Sequence, residues 1–160
     1  MIRRPPRSTQ GVSSAASDVY KRQGSEIDGR VIPSDLSLDG MLSKKKDFIG
    51  KRSLNRKAFI DQEREKIVGV VPLDKKTMIP EGSHLVMDSN APLPNPKLGH
   101  ISASCWSVEY NNPFSLAILK DGKTKIGEKL YALSPLKDKS IPVEIVSSHY
   151  VDPKGERVRS

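Results

Sequence analysis

Between residues 65 and 152 the chain is a succession of short apolar runs, each closed by a turn rich in Gly, Pro or Asp, and this succession restricts its fold more than any other feature. "KIVGVVPL" is β-branched and stops at Pro72, "SHLVM" is short, and "FSLAILK" ends on the turn pair Asp121-Gly122. "LGHISASCWS" alternates, with Ile101, Ala103 and Cys105 on one side and Ser102, Ser104 and Trp106 on the other. "EKLYALS" and "IPVEIVSSHY" follow, the latter with Ile141, Val143 and Ile145 on one face. Alternation over so few residues is the signature of strands. Six or seven of them, spaced by turns, predict a small antiparallel barrel or sandwich. Ile101, Ala103, Cys105, Ile118, Val143 and Ile145 are expected in its core. "APLPNPKLG" is a loop between two strands, and "DGKTKIGEK" reads as a hairpin turn, since it has the glycines and lysines of a phosphate loop without the spacing.

Residues 24–64 have a different character. Gly29, Pro33 and Ser34-Asp35 punctuate a loop, and a short strand is expected around Leu36–Leu42. Asp47 stands where a helix cap belongs, and Phe48, Ile49, Leu54, Ala58 and Phe59 share one helical face, which predicts a helix over roughly 48–60. The residues themselves thus predict a loop and one helix over 24–64, then an all-β module over 65–152, a small antiparallel barrel or sandwich, with residues 153–160 as a tail.

Residues 1–23 lack any periodicity. Ser13, Ser14, Ser17 and Asp18 occupy the place where a secretory signal needs its apolar stretch. "IRRPPRST" and "SSAASDVYKRQ" resemble translated sequencing adapter, so this stretch is excluded from fold reasoning and expected to be disordered and dispensable. On that reading the coding frame opens near Gly24, within a longer gene. The exclusion alters the charge argument. Arg3, Arg4, Arg7, Lys21 and Arg22 against Asp18 give the stretch +4, half of the formal +8 of the chain. Most of the remaining excess lies in Lys44-Lys45-Lys46, Lys51-Arg52 and Arg56-Lys57, away from the strands. A nucleic-acid-binding barrel would interleave basic and aromatic residues along a sheet face, which this chain does not do.

No stretch approaches transmembrane length. The single cysteine, Cys105, precludes an intrachain disulfide and points towards a reducing cytoplasm. His84, His100 and His149 have no metal-ligand spacing. Glu26 and Asp28 lie on one face of an extended chain, but with no third ligand nearby they read as a solvated acidic loop. Ser102, Ser104, Ser107 and His100 lack a nucleophile elbow and an orienting acid. No catalytic residue follows from spacing.

One further signal comes from whole segments. "GSEIDGRVIPSDLSLDGMLSKKKDFIGKRSL", "LGHISASCWS", "SLAILKDGKTKIGEKLYA" and "IPVEIVSSHYVDPKGER" resemble, in the same order, the C-terminal region of the alpha-subunit family of heterotetrameric sarcosine oxidases. More distantly they resemble the aminomethyltransferase, or glycine-cleavage T-protein, superfamily, which dimethylglycine dehydrogenase shares. The resemblance implies a T-protein-like α+β module with three subdomains around a folate channel, of which residues 24–64 are a remnant and residues 65–152 the C-terminal barrel. It implies oxidative demethylation of sarcosine to glycine, with 5,10-methylenetetrahydrofolate formed from tetrahydrofolate, in a heterotetramer with other subunits. Flavin and NAD would belong to parts of such an enzyme that this chain lacks, as would the catalytic carboxylate, so the chain by itself is expected to be inactive. The resemblance places Asp28, Lys44, Trp106 and Tyr110 on the wall of the folate channel. Trp106 can stack on a flat ring, and the Lys44–Lys46 run can attract a polyglutamate tail. An aminomethyltransferase or another folate-dependent demethylase is the alternative within the superfamily.

Overall fold

A computed structural model of the chain describes residues 30–60, 63–90, 96–134, 139–150, 152 and 156. The expectations for residues 1–23, for Asp28 and for most of the 153–160 tail lie outside the described residues.

Six strands form a closed antiparallel barrel: β1 (Glu65–Pro72), β2 (His84–Val86), β3 (Gly99–Ser107), β4 (Asn112–Lys120), β5 (Lys129–Ser134) and β6 (Lys139–Val146). Their order around the barrel is β1-β4-β3-β2-β5-β6, and β1 closes the ring by pairing with both β4 and β6. β1 is paired along both edges, whereas β2 meets β3 at two residue pairs, His84–His100 and Leu85–Gly99. The lumen is packed with Val68, Val70, Leu85, Ile101, Leu119, Leu130, Val143, Ile145 and their neighbours.

β1 and β4 are apolar on both faces for a second reason. Their outward residues Ile67, Val71, Phe114, Leu116 and Ile118 form another buried cluster with Leu36, against which Val31, Leu38, Val146 and Tyr150 pack. The segment before the barrel thus lies across the β1–β4 wall. Gly69 permits this packing, because a Cβ there would stand 2.7 Å from the Phe114 ring.

Three local expectations change. The strand expected at Leu36–Leu42 is two 3-10 turns, Pro33–Leu36 and Asp39–Met41, because Ser37 adopts a left-handed conformation between them, with φ 59°. The helix expected over 48–60 is two single turns, α1 (Lys51–Leu54) and α2 (Lys57–Ile60), neither with a buried residue. Gly50 at φ 96°, not Asp47, precedes α1, so the chain turns sharply where the periodicity called for continuation. An apolar face that finds nothing to cover it gives no packing energy to extend a helix.

The third change concerns "DGKTKIGEK", which is no hairpin. β4 and β5 are separated by β3 and β2, so the stretch crosses the end of the barrel through the 3-10 turn Gly122–Lys125. Asp121 enters that turn at φ 55°. Gly122 is buried against the barrel, where a Cβ would meet Val68 Cγ1 at 2.6 Å.

Two exposed carboxylates sit in local donor sets that favour their charged form. The Asp74 carboxylate accepts from the Thr77 hydroxyl and from the backbone amides of Lys76 and Thr77, each at 3.0 Å, and these bonds, the hydroxyl foremost, lower its pKa. Asp39 is lowered by a hydrogen bond from the Ser34 side chain and then by Lys123, whose Nζ is 3.1 Å away. A carboxylate depressed in the folded state contributes stability above its unfolded pKa of about 3.9, and that contribution disappears as pH falls through the folded value. The melting midpoint is therefore expected to fall as pH drops below about 4. Asp74→Asn should flatten that descent in a calorimetric pH series, and an unchanged slope would refute the role given to this turn.

Candidate functional site

β3 is irregular, and the irregularity decides where its side chains lie. Ile101 pairs with Ala117 while Ala103 pairs with Leu116, so Ser102 is an extra residue in the ladder. Such a bulge shifts the alternation by one. Ile101 therefore faces the lumen with Ala117, whereas Ala103 and Cys105 share the outer face with Leu116 and Phe114. This corrects the expectation that Ile101, Ala103 and Cys105 share a side. Five of the six expected core residues, Ile101, Ala103, Ile118, Val143 and Ile145, are buried, while Cys105 is half-buried.

Beyond the bulge the lumen side of β3 is polar. Ser104 Oγ lies 2.8 Å from Ser115 Oγ, and Ser115 is fully buried. Glu81 Oε1 accepts from the Ser104 amide at 3.3 Å, and Ser102 Oγ donates to the Leu116 carbonyl at 3.2 Å. By register Trp106 follows on this same side, opposite Pro113 at the end of the ribbon, with 42% of its surface exposed. The bulge thus turns Trp106 to the side of Ile101, not away from it. An indole rim with neutral hydroxyls behind it offers a flat apolar surface.

Tyr110 belongs to the other face of the ribbon. Its ring meets Tyr150 edge-on at 5.2 Å, and Tyr150 stacks on Phe114 at 5.1 Å. Asn112 is buried beside them, with Nδ2 3.5 Å from the Tyr150 hydroxyl and, among the described residues, no partner for Oδ1. Lys44 is exposed in the bend before α1. Among the described residues, the surface clefts include one of about 380 Å³ lined by Asp74, Thr77 and the start of β6, and one of about 340 Å³ lined by Met41, Leu42, Ser43, Lys46, Asp47 and Phe48. Neither is lined by Lys44, Trp106 or Tyr110. Among the described residues no three His, Cys, Asp or Glu side chains gather as a metal site, and no helix is long and apolar enough to cross a membrane.

The most elaborate polar constellation is one that sequence spacing did not reveal. Arg64, just before β1, donates to the buried Asp35 through Nε, at 3.1 and 3.2 Å, and through Nη2. It also donates to the carbonyls of Arg30 at 2.8 Å and Ala58 at 3.2 Å, and its guanidinium lies 5.3 Å from the Phe59 ring centroid. Asp35, 2% exposed, accepts in addition from the Ile32 amide at 3.0 Å. One side chain thereby fastens three parts of the lead-in segment to the barrel. The partners are 29 residues apart, too far for any local motif, and "PSDL" reads on its face as turn punctuation.

Comparison with known proteins fits this geometry. The profile of the glycine cleavage T-protein C-terminal barrel domain matches residues 65–152. The sarcosine oxidase subunit alpha of Rhizobium meliloti (strain 1021) is 32% identical over 134 residues, 83% of this chain and 14% of that protein. The subunit alpha of Corynebacterium sp. (strain P-1) is 33% identical over 136 residues, 84% of this chain and 14% of that protein. The chain thus spans about one-seventh of these relatives. Among solved structures, the glycine cleavage system aminomethyltransferase T from Bartonella henselae superposes with a TM-score of 0.59 at 18% identity, over 81% of this chain and 34% of that one, a likeness of fold.

Proposed function

Since the chain belongs to the glycine cleavage T-protein C-terminal barrel family, we propose that it is the barrel and lead-in segment of the folate module of a sarcosine oxidase alpha subunit. One observation carries this reading. Identity of 32–33% runs over 134 to 136 residues, well beyond the 65–152 barrel that the family shares. The likeness therefore takes in part of the chain that the barrel family does not define, and the Arg64–Asp35 pair joins such a part to the barrel. The basic run lies off the sheet, on the lead-in segment, which speaks against the nucleic-acid alternative.

On this proposal tetrahydrofolate, bound in the complete module, supplies the acceptor for the one-carbon unit of sarcosine. Trp106 and Tyr110 stand on opposite faces of the β3–β4 ribbon, so the proposed residues stand singly and not as one continuous wall. Trp106 presents an exposed indole on which a pteridine or benzoyl ring can lie. Lys44 presents an exposed ammonium to glutamyl carboxylates, and Tyr110 borders the hairpin with its ring steadied by Tyr150. Asp28 completes the proposed set. Small-molecule sites typically enclose about 70–90% of their ligand, so the chain alone is expected neither to hold folate tightly nor to turn over sarcosine. The remaining subunits of a heterotetramer, and the flavin and NAD of the whole enzyme, would meet other parts of that longer protein.

The test is a chimera in which this chain's residues 24–158 replace the corresponding segment of the Rhizobium meliloti alpha subunit, co-expressed with its partner subunits. Sarcosine turnover with folate-dependent product formation is expected in the chimera and none in the isolated chain. A folded chimera without turnover, or turnover by the isolated chain, would overturn the proposal.

A further inference from the structure

We propose that His84 and His100 together bind one divalent first-row transition ion on the outside of the barrel, and that the ion ties β2 to β3. The two histidines belong to different strands and share no local ligand motif, yet they are direct partners in the β2–β3 ladder. Leu85 and Ile101, next to them in sequence, belong to the lumen, so alternation puts both imidazoles on the outer face. Register also sets how close they come. The neighbouring pair is hydrogen-bonded, with the Ile101 amide donating to the Ser83 carbonyl at 2.9 Å. His84–His100 is therefore of the non-hydrogen-bonded kind, in which opposed side chains approach most closely. Cβ atoms in directly opposed pairs are about 4.5–5.5 Å apart. From that spacing two imidazoles can share an ion that bonds each nitrogen at about 2.0–2.1 Å. The juxtaposition comes from register within the barrel, so it holds whatever further chain surrounds it.

The surroundings select the class of ion. Along the row that carries the pair, Leu133 of β5 lies beyond His84 and Ile118 of β4 beyond His100, so no cation stands directly beside them. Lys120, the next outward residue of β4 after Ile118, is turned to Glu63, with Nζ 3.0 Å from its carboxylate. Imidazole nitrogen suits Cu²⁺, Ni²⁺ and Zn²⁺, whereas Ca²⁺ and Mg²⁺ require oxygen donors. Among the described residues no third His, Cys, Asp or Glu joins the pair, so water would complete the coordination. The position gives the ion a structural consequence. β2 has three residues and meets β3 at two residue pairs, the shortest seam described in the ring, while β3 and β4 share eight. Unfolding separates the two histidines, so an ion held by both stabilises the closed barrel.

The test titrates the 160-residue chain with Cu²⁺, Ni²⁺, Zn²⁺, Mg²⁺ and Ca²⁺ by calorimetry, at a neutral to slightly alkaline pH where free imidazole is mostly uncharged. One Cu²⁺, Ni²⁺ or Zn²⁺ per chain is expected, Cu²⁺ the tightest, with no heat from Mg²⁺ or Ca²⁺. Outer-shell partners of a metal ligand are worth about 10–100-fold in affinity, so loss of either imidazole should weaken binding by at least about tenfold. His84→Ala and His100→Ala should each do so, and His149→Ala, beyond the end of β6, should not. Near-saturating Zn²⁺ should raise the melting midpoint by about 5 °C or more in the parent and leave that of His84→Ala unmoved. Line broadening by Ni²⁺ should centre on β2 and β3. His84 is exposed, so its variant keeps the fold and decides the matter even where His100→Ala does not fold. Binding unaffected by His84→Ala, equal loss with His149→Ala, a melting shift that persists in His84→Ala, or no affinity better than about 1 mM for any of the three ions would overturn the proposal. None of these readouts depends on folate or sarcosine, so the functional reading stands or falls separately.

Discussion

Arg64→Ala is expected to lower the unfolding free energy by about 3–5 kcal/mol, the range for breaking a buried ion pair from one side. The Asp35 carboxylate is 2% exposed, and the Ile32 amide is its one other described donor. Removing the guanidinium strands a charge in a poorly solvated place and frees the carbonyls of Arg30 and Ala58. Arg64→Lys should recover only part of the loss, because an ammonium cannot present the planar fork that meets both carboxylate oxygens. Replacing both partners with apolar residues of similar size, Asp35→Leu with Arg64→Met, should cost far less than either single change. Urea titrations of the three variants decide the matter, and a loss below about 1 kcal/mol for Arg64→Ala would place the pair among solvated surface bridges. Hydrogen exchange gives the location, since detaching the lead-in uncovers Ile67, Val71, Leu116 and Ile118 on the β1–β4 wall while the lumen stays packed.

The second large effect is expected inside the barrel. Ile101 is completely buried among lumen residues, and Ile101→Ala should cost about 2–5 kcal/mol, the transfer energy of the lost side chain plus that of the cavity it leaves. The bulge makes the site unforgiving, because β3 on either side is pinned, by Ile101 to the Ser83 carbonyl at 2.9 Å and by Ser104 to Glu81. Gly99→Ala, two residues earlier, fails by the opposite route. A Cβ there would stand 2.1 Å from the Ile118 carbonyl oxygen, so the β3–β4 ladder would have to part. Against a typical domain stability of about 5–15 kcal/mol, either change removes a substantial share. Denaturant midpoints that moved by less than about 0.5 kcal/mol in equivalent energy would contradict the packing described for the lumen.

The succession of short strands and turns made a small barrel or sandwich legible, the likeness in ordered segments made the family legible, and the structure and comparisons agree on the barrel and the family. The proposed folate-wall residues Asp28, Lys44, Trp106 and Tyr110 came from resemblance alone. Geometry adds that Trp106 and the Tyr110–Tyr150–Phe114 stack lie on opposite faces of one ribbon. The Asp35–Arg64 clasp was invisible, because two ordinary charged residues 29 positions apart have no local spacing to betray them.

What the sequence determined by itself was local. β-branched runs in Glu65–Pro72 and Lys139–Val146, the stop at Pro72 and the turn at Asp121-Gly122 follow from dihedral preference and the two-residue period, which neighbours along the chain impose on one another. What only the tertiary structure decided was which distant segments meet. The β4 to β5 crossing, the extra residue at Ser102 and the halting of the 48–60 periodicity in two single turns each depend on partners remote in sequence or absent from this face. A strand's period is the same whichever neighbour it pairs with, and a helix's apolar stripe is the same whether or not anything covers it. The pairing and the covering are settled by how all the elements together bury apolar surface and satisfy their hydrogen bonds.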